Sequence, residues 1–152
     1  MHYSERLTVP LRWWVQGTML VATLWLAVAV AAAALVAAVV TLFAFGLMAA
    51  VFLSYGGARI TVSDSEFRAG PAHIATGLVG PAHALDADAT RRTAGVDADA
   101  RAFLLLRPYL KRAVRVTITD PADPAPYWLV STRHPDRLAA ALQAATHSAS
   151  AG

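Results

Sequence analysis

The fold of this chain is decided by residues 13–58, which read WWVQGTMLVATLWLAVAVAAAALVAAVVTLFAFGLMAAVFLSYGGA. These 46 residues contain no Asp, Glu, Lys, Arg or His. A single helix of that length would measure roughly 69 Å, at about 1.5 Å per residue. The hydrocarbon core of a bilayer is about 30 Å thick and takes about 20 residues per crossing. The stretch therefore predicts a transmembrane hairpin over residues 13–57, with helices near 13–32 and 35–55.

Two other interpretations of the apolar stretch fit it less well. A pair of soluble core helices would normally show a polar face, and none is present. A signal peptide has an apolar region of about 7–15 residues, which is far shorter than this run. No Gly, Pro, Asn or Asp marks the turn within residues 30–38, so we place the turn at residues 31–34 by symmetry.

Basic residues near both ends of the hairpin predict its orientation. Arg6 and Arg12 precede the first helix, Arg59 and Arg68 follow the second, and the turn carries no charge. Loops rich in Lys and Arg remain on the cytoplasmic side. We therefore expect a multi-pass protein of the cell membrane with a cytoplasmic N-terminal segment, residues 1–12, and both termini in the cytoplasm.

Composition limits the chemistry that the chain can perform. The formal net charge is +3 over 152 residues, which is too small to argue for nucleic-acid binding, and no nucleic-acid partner is expected. Cysteine is absent, so disulfides, thiolate nucleophiles and Cys-based zinc sites are excluded. No ionisable group lies within the spans, which argues against a transporter or pump that acts alone.

Residues 58–147 are predicted to form a small, mostly β cytoplasmic domain. Alternation at period two indicates strands over residues 58–63 and 114–119, and shorter apolar runs indicate strands around 66–69, 103–106 and 127–132. We expect these strands to be antiparallel. A helix over about residues 135–146 begins with Pro135 and Asp136, both favourable in a first turn. This is the layout of a partial barrel similar to pleckstrin-homology (PH) domains, capped by a C-terminal helix, with a disordered tail at 148–152.

A short repeat and its histidines invite a metal hypothesis. Gly-Pro-Ala-His occurs at residues 70–73 and again at 80–83, and each copy is expected to bend the chain into a short strand. Asp86 and Asp88 lie near His73 and His83, but the spacing matches no zinc pattern. We predict no metal and no other cofactor.

A basic cluster is the best candidate for a binding site. It consists of Arg107, Lys111, Arg112 and Arg115, and no acidic residue occurs from residue 102 to 119. Next to a membrane, each such residue contributes about 1 kcal/mol to the binding of anionic lipid. An acidic or phosphorylated partner and an ordinary solvated loop are the alternatives.

Several stretches resemble a known family. They are YSERL at residues 3–7, PLRWW at 10–14, AFLLLRPY at 102–109, TDP at 119–121 and PYWLVSTR at 126–133. The chain is similar to the actinobacterial membrane proteins grouped as domain of unknown function 3093. The resemblance implies two spans and a PH-like cytoplasmic domain, and it implies no established activity.

These observations predict a membrane-anchored, non-enzymatic module that binds a protein partner or anionic lipid at the inner leaflet. Motifs for nucleophilic serine, phosphate loops and metalloproteases are missing, and no catalytic residue is assigned. An accessory subunit of an envelope enzyme or transporter is the alternative, and a membrane-bound enzyme comes third. The expected partners are the lipid bilayer, anionic headgroups, and a membrane protein or a second copy of the chain.

Overall fold

The computed structural model describes residues 3–151, which fall into two compact units. Residues 8–57 form a helical hairpin. The described residues before and after it together form a polar domain. The domain is therefore discontinuous in sequence, whereas residues 1–12 were expected to be a separate segment.

The hairpin consists of α1 (Leu11–Ala31) and α2 (Ala34–Tyr55). Both helices are long and apolar enough to cross a membrane. The turn lies at Ala32 and Ala33, inside the expected range, and both residues have negative φ and extended ψ. Any residue adopts that backbone, which explains why no glycine or proline marks the turn.

Close packing joins the start of α1 to the end of α2. The Trp14 and Phe52 rings meet edge to face with centroids 5.1 Å apart. A Cβ at Gly17 would collide with the Met48 sulfur, so a larger residue here would force the Met48 side chain to move. Beside this contact, both helices line a groove of about 740 Å³.

The first sheet contains a strand that the sequence analysis missed. Its order is β1 (Tyr3–Arg6), β2 (Arg59–Val62), β3 (Glu66–Ala69) and β4 (Ala72–Ala75), all antiparallel. β1 and β2 pair across the whole hairpin, and the Leu7 N–H donates to the Ala58 carbonyl at 3.0 Å. Four residues with two charges show too little periodicity to be recognised as a strand.

The second sheet has the order β5-β7-β8-β6. β5 (Val79–Leu85), β7 (Ala113–Ile118) and β8 (Tyr127–Ser131) are antiparallel, whereas β6 (Phe103–Leu105) runs parallel to β8. The expectation that every strand is antiparallel is therefore wrong for β6. A helix, α3 (Ala87–Ala94), separates β5 from β6 and allows the parallel return.

The two Gly-Pro-Ala-His copies have different roles. Gly70 has φ of 61° and forms the turn into β4. Gly80 and Pro81 instead lie inside β5, where the register with β7 shifts. A Cβ at Gly80 would lie 3.1 Å from the Thr119 methyl carbon, and Pro81 cannot donate to the ladder. The second copy is therefore a bulge and not the predicted bend into a strand.

The core lies between the two sheets and α4 (Pro135–Ala151). Trp128 is central to it, with ring centroids 5.7 Å from Phe67 and 5.1 Å from Phe103. α4 directs one apolar stripe into this core, and its fully buried members are Leu138, Leu142 and Ala145. On the outer face of the second sheet, Ala113, Tyr127 and Leu129 form a smaller cluster.

The predicted disordered tail is wrong for residues 148–151, because α4 continues to Ala151. Ser148 Oγ donates to the Ala144 carbonyl at 3.1 Å, and Ser150 Oγ donates to the Thr146 carbonyl at 2.8 Å. These bonds satisfy the hydroxyls within the last turns. Gly152 lies outside the described residues.

The discontinuous domain makes a direct prediction. Replacing residues 8–57 by a four-residue Gly/Ser linker joins Leu7 to Ala58, whose backbones are already hydrogen-bonded. We expect this chain to fold cooperatively in water. A chain that starts at Ala58 loses the buried Tyr3 and Leu7, and we expect its free energy of unfolding to be lower by about 3 kcal/mol or more.

Urea unfolding followed by far-UV circular dichroism compares the two chains. Equal stabilities would show that β1 adds nothing to the domain.

Candidate functional site

The four basic residues predicted as a site lie in β7 and in the segment before it. Arg107, Lys111 and Arg112 precede β7, and Arg115 is its third residue. Lys111, Arg112 and Arg115 are exposed, whereas Arg107 is half-buried. Their neighbours show which of the four act together.

Arg107 and Arg112 are both held at the C-terminal end of β8. The Arg107 N–H donates to Ser131 Oγ at 3.1 Å, and Arg112 Nη2 donates to the Arg133 carbonyl at 3.2 Å. The Arg112 carbonyl accepts from the Thr132 N–H at 3.2 Å. These contacts fix the backbone at both positions, so Arg107 and Arg112 stabilise this end of the sheet in addition to supplying positive charge.

Tyr109 is buried beside this end of the strand. Burial raises the pKa of its phenol, while the positive charges of Arg107 and Arg133 oppose that rise. Both guanidinium groups therefore lie within electrostatic range of the ring.

Arg115 belongs to a different surface. It lies on the outer face of the second sheet, paired with His83 on β5 and Leu129 on β8. Its guanidinium carbon is 4.3 Å from the centre of the Tyr127 ring, a cation–π contact at the N-terminal end of β8. The structure thus brings Arg107 and Arg112 together and directs Arg115 elsewhere.

A polar network around Glu5 was not predicted. Tyr3 Oη donates to Glu5 Oε2 at 2.6 Å, and Thr132 Oγ1 donates to the same oxygen at 2.5 Å. The Arg133 N–H donates to Glu5 Oε1 at 3.1 Å, and Arg133 Nη1 lies 3.6 Å from that oxygen. The Glu5 side chain is only 9% exposed, so these donors compensate for the loss of water around its charge.

The Glu5 network also positions the start of α4. The His134 N–H donates to Thr132 Oγ1 at 3.1 Å, and the Leu138 N–H donates to the His134 carbonyl at 3.0 Å. Thr132 is 1% exposed, and its hydroxyl therefore links β1 to the first turn of the helix. The sequence carries no local signal for this site, because Thr132 and Arg133 lie 127 and 128 residues from Glu5.

The residues considered for a metal site lie on separate elements. His73 is on β4 and His83 on β5, in different sheets. Asp86 accepts from the Ala89 N–H at 2.8 Å and caps α3, where Asp88 pairs with Arg91. Among residues 3–151, no three His, Asp or Glu side chains are grouped so that they could hold a metal ion. His73 lines an open groove of about 480 Å³ with Arg101, Asp123 and Trp128.

The fold defines a class of protein: an apolar helical hairpin inserted between the first two strands of a two-sheet polar domain, which a C-terminal helix closes. The family described as "Protein of unknown function (DUF3093)" matches residues 2–142. The chain belongs to this family, and the resemblance noted in the sequence is confirmed at that level. None of the curated proteins and none of the solved structures compared with the chain matches it.

The network predicts an asymmetry between two glutamates. Glu5→Gln removes a charge that several donors share, and we expect a loss of about 1–3 kcal/mol in the free energy of unfolding. Glu66→Gln is the matched control. The Glu66 carboxylate lies 3.2 Å from the exposed Arg68 guanidinium, so this change should alter stability by less than about 0.5 kcal/mol.

Since the chain has no cysteine, A139C supplies a single buried thiol. Labelling of this thiol against urea concentration measures opening of the domain in both variants. Similar losses for the two glutamates would contradict the role assigned to Glu5.

Tyr3 predicts a specific alkaline transition. Burial, reinforced by the hydrogen bond to Glu5, raises the pKa of Tyr3 to about 12. The stability that protonated Tyr3 contributes is therefore complete below a pH of about 10, the pKa of an unfolded tyrosine. It is lost as the pH rises from there through the folded-state pKa of about 12. Wild type should have a higher thermal midpoint than Tyr3→Phe at pH 10, and this difference between the two proteins should become smaller at pH 12. An unchanged difference across that range would contradict the assignment.

Proposed function

We propose that this protein is a non-enzymatic, membrane-anchored module whose PH-like domain binds anionic lipid at the inner leaflet. The observation that carries the proposal is the pairing of β1 with β2 across the hairpin. One folded domain contains residues from both sides of the apolar segment, which supports an arrangement with both ends of that segment on the same side of a bilayer.

This pairing supports two crossings over one. An odd number of spans would separate Arg6 from Arg59, which are partners in the ladder. Two helices of 21 and 22 residues match the length of two spans. The arginines at both ends favour the cytoplasmic side for the domain.

The linkers support a domain held at the membrane surface. Three residues separate Leu7 from Leu11, and three separate Tyr55 from Arg59. Each linker residue spans at most about 3.6 Å. The exposed side chains of Lys111, Arg112 and Arg115 would then attract an anionic leaflet, at about 1 kcal/mol for each residue near the surface.

Two sheets closed by a C-terminal helix support the PH-like assignment of the domain. The parallel pairing of β6 with β8 is a local departure from a simple antiparallel meander.

An accessory subunit of an envelope enzyme or transporter is the second candidate. The hairpin favours this candidate. Val21 is the buried residue of α1 and Ala37 that of α2, so most of the apolar surface of both helices is exposed and could contact another protein. The groove between the helices, lined by residues such as Leu20, Leu24 and Val51, could accept an apolar helix of a polytopic protein.

Cysteine labelling tests the topology. A33C lies in the hairpin turn and S65C in the exposed β2–β3 turn. A membrane-impermeant maleimide should label A33C in intact cells, and S65C only after the membrane is opened. The reverse pattern, or a chain recovered in the soluble fraction, would contradict the proposed anchoring.

Lipid retention tests the proposed ligand. After extraction in a mild uncharged detergent, mass spectrometry measures the phospholipid bound to each full-length chain. K111Q/R112Q/R115Q should retain less anionic lipid than wild type, by a factor of about three or more. The matched control is R91Q/R92Q/R101Q, which removes the same charge from exposed arginines that are paired with aspartates.

Equal retention by the two triple variants would count against lipid binding through Lys111, Arg112 and Arg115. The same extracts separate the candidates, because a polytopic protein that co-purifies at a fixed ratio would favour the accessory subunit.

A further inference from the structure

The outer face of the first sheet carries a second basic surface. Residues opposite each other in an antiparallel ladder share a face, and here Ser4 pairs with Thr61, which in turn pairs with Arg68. The next row toward the hairpin consists of Arg6 opposite Arg59. Both of these arginines are exposed. We call Arg6 and Arg59 the arginine pair.

The arginine pair is unusual because two positively charged residues lie directly opposite each other in the ladder. Like charges in that position destabilise a sheet. Several other exposed arginines of the domain do have a carboxylate partner: Arg68 lies 3.2 Å from Glu66, and Arg92 lies 3.5 Å from Asp97. Within residues 3–151, no carboxylate pairs with Arg6 or Arg59. The two arginines repel each other when no anion is present. An anion that binds both guanidinium groups would remove this repulsion and stabilise the pairing of β1 with β2.

A third positive charge lies close to this row. Arg133 Nη1 donates to the Arg6 carbonyl at 3.2 Å while its charge is shared with Glu5. The Glu5 network therefore fixes the backbone of Arg6, and the register of β1 with β2 places Arg6 on the outer face. Positioned guanidinium groups bind phosphate oxygens in a bidentate manner, which an isolated surface lysine does not achieve.

The position of the pair in the chain points to the source of the anion. Arg6 is five residues before Leu11 and Arg59 is four residues after Tyr55. An extended chain covers at most about 18 Å and 14 Å over those lengths. If the hairpin spans a bilayer, both side chains reach the headgroup layer.

We propose that Arg6 and Arg59 together bind one phosphate group of an anionic membrane lipid. This inference rests on the proposed membrane anchoring and assigns a lipid site that is separate from Lys111, Arg112 and Arg115. The lipid phosphate replaces the missing carboxylate, and binding relieves the repulsion within the ladder.

The test uses the full-length chain with A139C in uncharged detergent micelles, where orientation in a cell plays no part. The temperature at which the A139C thiol becomes half-labelled is measured with added phosphatidylglycerol, phosphatidylcholine or inorganic phosphate. Phosphatidylglycerol should raise this temperature by about 5 °C at saturating ratios. R6Q/R59Q should lose most of that rise, and R91Q/R92Q, which removes two positive charges from α3, should keep it.

A second expectation separates binding from simple structural support. Without lipid, R6Q/R59Q should open at the same temperature as wild type or about 2 °C higher, because the repulsion is gone. R6K/R59K keeps the charge and loses the bidentate geometry, so it should show a reduced rise with phosphatidylglycerol.

Three results would overturn the proposal. They are an equal rise in wild type and R6Q/R59Q, an equal rise with phosphatidylcholine, and a rise with inorganic phosphate at the same concentration, which would assign the site to a soluble anion. Failure of the membrane anchoring itself would be recognised separately, from the labelling of A33C and S65C in cells.

Discussion

The ladder between residues 3–6 and 59–62 is the constraint on which the rest of the structure depends. A strand of four residues has little stability alone. Here it gains the burial of Tyr3 and Leu7 and a complete set of partners for Glu5. With β1 in place, the hairpin becomes an insertion within a sheet, and the polar domain acquires two adjacent connections to it.

Glu5 shows how a buried charge can organise this assembly. A carboxylate removed from water is costly unless its oxygens are satisfied. In this domain the donors come from β1 itself and from the segment between β8 and α4. These bonds connect β1, the edge strand of the first sheet, to the segment that follows β8 in the second sheet. If either part moved, the Glu5 carboxylate would lose its hydrogen bonds while still largely buried.

The elements visible in the sequence are those whose signal is local. The hairpin follows from a long run without charge, and β7 follows from the alternation of Val114, Val116 and Ile118. β1 could not be found in this way, because its partner lies more than fifty residues away and its own pattern spans four positions. β6 has only three residues, so its direction depends on the path through α3.

The basic cluster illustrates the same limit for sites. Arg112 and Arg115 are close in sequence, but one lies before β7 and contacts Arg133, while the other projects from the sheet toward Tyr127. Arg6 and Arg59 are distant in sequence and become neighbours through the ladder. Proximity along the chain therefore does not show which residues share a surface, whereas strand register identifies neighbours in space.

The split domain also imposes an order on biosynthesis. Since the ribosome works from the N-terminus, β1 emerges long before β2, and the nascent chain carries Tyr3, Glu5 and Leu7 with nothing to pack against. After both helices have formed, the contact between Trp14 and Phe52 brings the end of α2 close to the start of α1. Completion of the Glu5 network then waits for Thr132 and Arg133, which follow β8 in the sequence. The partners of β1 are therefore synthesised in stages, first β2 and last Thr132 and Arg133.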